Sequence, residues 1–296
     1  MSIDGILNIN KPAGITSLEV VKIVRRLSGE RGVGHAGTLD PGATGVLPVC
    51  LGQATRVIPF IVEAHKIYLA EIELGVSTDT YDADGNVTQK VDPSNITREQ
   101  VERVLPSFSG SILQKPPMYS AVKHQGKRLY DLARSGIEVE REPRRADVFR
   151  LKLMDWRPPH CTIAVECGKG TYIRSLAHDL GQSLGCGAHV RELARLRSGI
   201  FDIDDSVTIP QLEASFKHNC WQDILYPIDV VLEDWMAVIV SGEKEYAIKN
   251  GCQLALGEGA DKDYCRAYSI DGRFLAVLHF LPEKNLWHPV KVFARA

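Results

Sequence analysis

Apolar positions alternate at the start of the chain, where Gly5-Ile6-Leu7-Asn8-Ile9-Asn10 predicts a strand. Lys11-Pro12-Ala13-Gly14 breaks it. Thr16 and Glu19 then make a capping box, in which each side chain satisfies a free backbone N–H at a helix start. Val20, Ile23, Val24 and Leu27 follow at helical spacing, and Gly29 sits where a helix stops. The stretch 31–52 is rich in Gly and Pro and poor in helix formers. Residues 67–74 are β-branched and aromatic enough for a strand, and Thr97 with Gln100 caps a helix over 97–105. Residues 146–156 and 161–167 predict a hairpin around Arg157-Pro158-Pro159-His160. A helix follows from about Tyr172 to Leu184, ended by Gly185. Strands and helices mix without a β-α-β rhythm, which favours an α+β sheet over a doubly wound parallel one. Beyond residue 230 the texture shifts to short β-like runs (237–240, 264–269, 273–280, 290–293), with Asp271-Gly272 as a hairpin signal. This predicts a separate small β-barrel over 231–296, with its boundary near 227–233.

A chain of 296 residues is long enough for about two domains. Its 44% hydrophobic and 24% charged residues exclude a disordered chain or a fibre. The longest apolar runs, such as 235–240, are far shorter than the ~20 residues that cross a bilayer. Met1-Ser2-Ile3-Asp4-Gly5 has neither the basic nor the apolar region of a signal peptide. Seven scattered cysteines without a C-x-x-C pair point to a reducing, cytoplasmic setting rather than a disulfide framework. A net charge of −2 excludes a polycation that coats nucleic acid unselectively, so charge must be read by segment.

Several motifs fail on context. Gly32-Val33-Gly34-His35-Ala36-Gly37 fits G-x-G-x-x-G, but a helix precedes it and Thr38-Leu39-Asp40-Pro41-Gly42 follows, so the strand and helix of a dinucleotide site are missing. No Gly-Lys-Ser/Thr closes it as a phosphate loop. Asp82-Ala83-Asp84-Gly85 resembles part of a calcium loop, yet the register puts Thr80 and Val91 at the end positions, where neither ligates as required. Nine histidines without metal-ligand spacing make a metal site unexpected.

The most informative stretch is Gly34-His35-Ala36-Gly37-Thr38-Leu39-Asp40-Pro41-Gly42-Ala43-Thr44-Gly45-Val46-Leu47-Pro48. Its glycines permit close approach by a ligand, and Pro41 keeps Asp40 out of the helical region. A rigid loop presenting one carboxylate and a purely structural Asp-Pro turn both fit this pattern. The stretch resembles the catalytic motif of the pseudouridine synthases, most closely the bacterial TruB family. Four more segments resemble that family in the same order: 7–17; Lys66-Ile67-Tyr68 with Gly75 and 78–85; 114–123 with Gly126, Leu129-Tyr130 and Ala133-Arg134; and Gly170-Thr171-Tyr172-Ile173-Arg174-Ser175-Leu176.

The resemblance implies an enzyme with a mixed, mostly antiparallel sheet flanked by helices. It would occupy 1–230, followed over 231–296 by a PUA-like RNA-binding domain. It implies conversion of uridine 55, in the T-arm of tRNA, to pseudouridine, with no cofactor and no metal. Asp40 corresponds to the nucleophile, Arg174 to its ion-pair partner and Tyr68 to the residue that stacks on a flipped-out base. His35, Tyr172 and Leu193 match positions near that nucleotide. Lys11 and Pro12 read as structural. The segment 115–146 resembles the family's RNA-gripping insertion. Its eight Lys and Arg against four Asp and Glu give +4 in a chain of −2, with Tyr119, His124 and Tyr130 interleaved. Lys123 and Arg128 are its candidate phosphate contacts. The implied partner is tRNA, without membrane or obligatory protein partner. Two alternatives stay open at this point: an RNA-binding, tRNA-folding chaperone without essential catalysis, and an aspartate-nucleophile hydrolase.

Overall fold

The computed structural model describes residues 3–256 and 263–293. Met1 and Ser2, and the parts of the expected C-terminal domain at 257–262 and 294–296, lie outside the described residues. The opening strand β1 (Gly5–Lys11) leads to helix α1 (Ser17–Ser28). The capping box forms, with Thr16 N donating to Glu19 Oε2 at 2.7 Å and Glu19 N to Thr16 Oγ1 at 3.1 Å. Gly29 ends the helix with a φ of 67°. Strands β2 (Val33–His35) and β3 (Thr44–Leu51) follow inside the Gly/Pro-rich stretch. Helix α2 (Ile58–Glu63) precedes β4 (Lys66–Leu74), and α3 (Arg98–Val104) is capped by Thr97 and Gln100. Then come β5 (Gly110–Gln114), α4 (Leu129–Arg134), β6 (Arg144–Arg157), β7 (His160–Cys167) and α5 (Ile173–Ser183). The unanticipated strand β8 (Ala188–Ser198) precedes β9 (Val207–Thr208) and α6 (Ile209–Lys217).

These strands make one mixed sheet in the order β9-β1-β3-β8-β4-β7-β6-β5. Only β9–β1 and β3–β8 along this path are parallel, so the α+β reading holds. One core cluster fills the half that holds β4, β6 and β7, where α3 and α5 pack through Val101, Ile173, Leu176 and Leu180. A second surrounds β1 and β3, where α1 and α6 contribute Val20, Val24 and Leu212. Tyr68 on β4 and Leu193 on β8 touch both clusters. They therefore mark the seam between the two halves.

The C-terminal sheet comprises β10 (Met236–Val240), β11 (Tyr264–Ser269), β12 (Phe274–Leu281) and β13 (Leu286–Val292), with α7 (Gly242–Lys249) in the first connection. Its hairpin turns at Asp271-Gly272 as expected, Gly272 N donating to Ser269 O at 3.0 Å. The expected barrel is corrected to an open four-stranded sheet: β10 pairs β11 in parallel, the other pairs are antiparallel, and among the described residues β10 and β13 do not meet. This sheet is not detached. Leu232, Val277 and Phe293 share a core with Ile6, Val46 and Phe201, and Trp235 meets Phe60 edge-on at 5.1 Å.

Candidate active site

The loop between β2 and β3 carries Asp40, and the chain's opening unit holds that loop. Ser17, the first residue of α1, accepts from Leu39 N at 2.9 Å and donates to Leu39 O at 3.0 Å. Gly14 N donates to Pro41 O at 2.9 Å. Lys11 Nζ, fully buried, donates to the carbonyls of Pro12, Ile15 and Pro41 at 2.8, 2.7 and 3.1 Å. Lys11 thus ties the β1–α1 connection, at Pro12 and Ile15, to Pro41 beside Asp40. Burial lowers the Lys11 ammonium to about 8, against the pull of Asp40.

Arg174 is the second residue of α5 and is 6% exposed. A cation there opposes the helix dipole, and the surrounding acceptors compensate. Its Nε meets Asp40 Oδ2 at 2.9 Å and its Nη2 meets Oδ1 at 3.1 Å, a bidentate pair. Nη1 donates to Asp82 Oδ2 and Thr80 O, each at 3.2 Å, and Nη2 also donates to Tyr119 O at 2.8 Å. The start of α5 is itself pinned by Gln114. That amide accepts from Tyr172 N at 3.0 Å and donates to Tyr172 O at 3.3 Å. Asp40's side chain keeps 40% of its surface. Burial pushes its carboxyl above the ordinary carboxylate range, Asp82 adds to this, and Arg174 pulls it back.

A cavity of about 280 Å³ opens over this pair. Asp40, Arg174, Tyr68, Tyr172 and Leu193 all line it, so five of the expected residues converge from four parts of the chain. Tyr68 stands directly opposite Arg195 in the β4–β8 ladder. Burial raises the Tyr68 phenol, and the Arg195 guanidinium beside it draws it down. The other expected residues lie elsewhere. His35 sits half-buried opposite Val49 in β2–β3, outside the cavity lining, where burial lowers its imidazole. Lys123 and Arg128 face each other in a two-residue hairpin, both exposed. Arg128 donates to the Tyr130 hydroxyl at 2.7 Å, and Lys123 lines a neighbouring groove with His124, Arg141 and Arg144.

Sequence reasoning missed Arg195, which lines the cavity at 1% exposure. Its Nε donates to Val46 O at 2.7 Å and its Nη2 to Gly37 O at 3.0 Å, tying β8 to β3 and to the Asp40 loop. Lys66 carries no signal in the sequence beyond its place in the Lys66-Ile67-Tyr68 segment. It also lines the cavity, 5% exposed and donating to Ala64 O at 2.6 Å, and burial lowers it to about 8. Asp82, in the stretch that resembles part of a calcium loop, is Arg174's second carboxylate. A lone Arg in a strand and an Asp in a turn carry no individual sequence signal; only the fold shows their convergence. Among the described residues, no group of three His, Cys, Asp or Glu gathers as metal ligands. No helix among them is long and apolar enough to cross a membrane.

Residues 25–173 match the N-terminal domain of the TruB family pseudouridylate synthases, and residues 174–233 match the tRNA pseudouridylate synthase B C-terminal domain. The chain belongs to the TruB family. A tRNA pseudouridine synthase B of Dehalococcoides mccartyi is 46% identical over 293 residues, covering 99% of this chain and 97% of that one. The Clostridium tetani protein of the same name is 42% identical over 272 residues, 90% of this chain and 93% of its own. Among solved structures, a Cbf5-Nop10-Gar1 complex contains a chain similar at a TM-score of 0.74 and 27% identity, over 99% of this chain and 84% of that one. The family models span residues 25–233 and the D. mccartyi relative 99% of the chain, so membership of this pseudouridylate synthase family rests on nearly the whole length.

Proposed function

We propose that this TruB-family chain converts uridine 55 in the T-arm of tRNA to pseudouridine in the cytoplasm, with Asp40 as the nucleophile. The bidentate Asp40–Arg174 pair, open on one side to the cavity, carries the reading. A target inside a folded arm reaches such a cavity only by leaving its stack, and the Tyr68 ring would take the everted base. The N1–C1′ bond breaks and a C5–C1′ bond forms. The C5 proton is lost and N1 gains one, so substrate and product have the same atoms. Asp40 supplies the covalent hold while the ring turns, whether it adds to ribose or to the uracil ring. Arg174 favours the carboxylate form needed for attack, and burial makes that carboxylate more basic.

The test is direct. Full-length protein is incubated with an unmodified T-arm hairpin, and the product is mapped base by base. Pseudouridine at position 55 alone is expected. Free uracil would replace isomerisation by hydrolysis, and modification elsewhere would remove the site assignment. The exposed Lys123–Arg128 hairpin also suits RNA folding without catalysis. Rescue of a strain lacking the gene by Asp40→Asn, to the wild-type level, would favour that second reading.

A further inference from the structure

We propose that Lys169 is a phosphate-binding residue at the mouth of the reaction cavity, held in reserve by Glu63. The inference rests on the cavity receiving an everted nucleotide of RNA. Four cations line that cavity: Lys66, Lys169, Arg174 and Arg195. Three are committed inside the protein. Lys66 donates to the carbonyls of Val62 and Ala64, Arg195 to those of Val46 and Gly37, and Arg174 to two carboxylates and two carbonyls.

Lys169 differs. Its side chain is 59% exposed, and its ammonium lies 2.6 Å from the carboxylate of Glu63, which is also 59% exposed. The backbone around it is fixed. Gly168 N donates to Asp147 O at 2.8 Å, and Thr171 Oγ1 donates to Gly168 O at 3.1 Å. Lys169 is therefore a long, exposed arm on a pinned turn. An exposed ion pair is worth only about 0–1 kcal/mol. Exchanging Glu63 for a phosphate therefore costs little, and a charge-assisted contact to phosphate is gained. Eversion rotates a nucleotide about its own backbone, so its flanking phosphates stay at the cavity mouth, where Lys169 stands. Glu63 occupies the place of that phosphate while RNA is absent. A flat surface lies alongside: Phe149, half exposed, packs against the Gly168 position and stacks on His65 at 4.1 Å. This suits a neighbouring unstacked base.

The two members of the pair then have opposite effects, which a merely structural ion pair would not show. The experiment measures kcat and KM of the full-length enzyme on an unmodified T-arm hairpin at several salt concentrations. Lys169→Ala is expected to raise KM about tenfold and to reduce the slope of log affinity against log salt by about 0.7–0.9. Glu63→Gln is expected to lower KM about two- to threefold, and Lys169→Arg to stay near wild type. The inference is overturned if Glu63→Gln raises KM, or if Lys169→Ala leaves KM and the salt slope unmoved. Wild type without pseudouridine product would overturn the functional reading and this inference together. Wild-type turnover with both variants shifting in the same direction removes this inference alone.

Discussion

Asp40 sits between two opposed influences. Removal from water favours its neutral form, and the Arg174 guanidinium, in bidentate contact, favours the anion. The proposed nucleophile must be ionised, so turnover should rise with pH through the Asp40 pKa. Because burial raises that pKa, the acid limb of single-turnover rate should lie above the ordinary aspartate value of ~3.9. Arg174→Gln removes the lowering influence and leaves Asp82 in place, so the limb should move to still higher pH as the rate falls. Arg174→Lys keeps a positive charge and should move it less. A slower Arg174→Gln enzyme with an unmoved limb would show that Arg174 acts on something other than the Asp40 charge.

Among the elements, those with a local signal were legible in the sequence. The β1–α1 unit follows from alternation, a capping box and a terminal glycine; α3, α5 and the β6–β7 hairpin follow in the same way. Two strands at the centre of the sheet were not. In β3, Gly45 has a φ of 99° and Pro48 lacks a donor, so the run reads as loop, and pairing with β1 overrides that local signal. In β8, Ala, Leu, Arg and Glu are helix formers, and two bulges against β4 break the alternation. Arg195 was lost with β8. The Asp40 loop and Arg174 were legible as a site only through resemblance, because their pairing spans 134 positions. Gly45 shows what the β3–β8 junction demands. A Cβ there would lie 2.2 Å from Arg195 O, whereas one at Gly29, also at positive φ, meets nothing within 4 Å. Gly29→Ala should cost about 1 kcal/mol, and Gly45→Ala more than about 3 kcal/mol, because it adds a backbone clash to the same strain. Denaturant midpoints of the two variants check this; equal losses would mean that the junction yields.

For the molecule as a whole, the cavity lies where two core clusters meet, with Tyr68 and Leu193 belonging to both. β1, α1 and the β2–β3 loop deliver Asp40 from one half, and α5 delivers Arg174 from the other. The insertion adds its +4 charge beside this seam and reaches it through the Tyr119 carbonyl on Arg174. The chain's −2 average therefore conceals a site suited to a polyanion. Everything proposed about catalysis passes through one carboxylate. The most direct measurement compares Asp40→Asn with wild type, under single-turnover conditions on the T-arm hairpin, with RNA affinity measured in parallel. Asn keeps the shape and removes the charge. Affinity within about threefold of wild type, with the rate of pseudouridine formation down by at least about 10⁴, is the expected result. Asp40→Asn that binds RNA and still forms pseudouridine within about tenfold of the wild-type rate would contradict it.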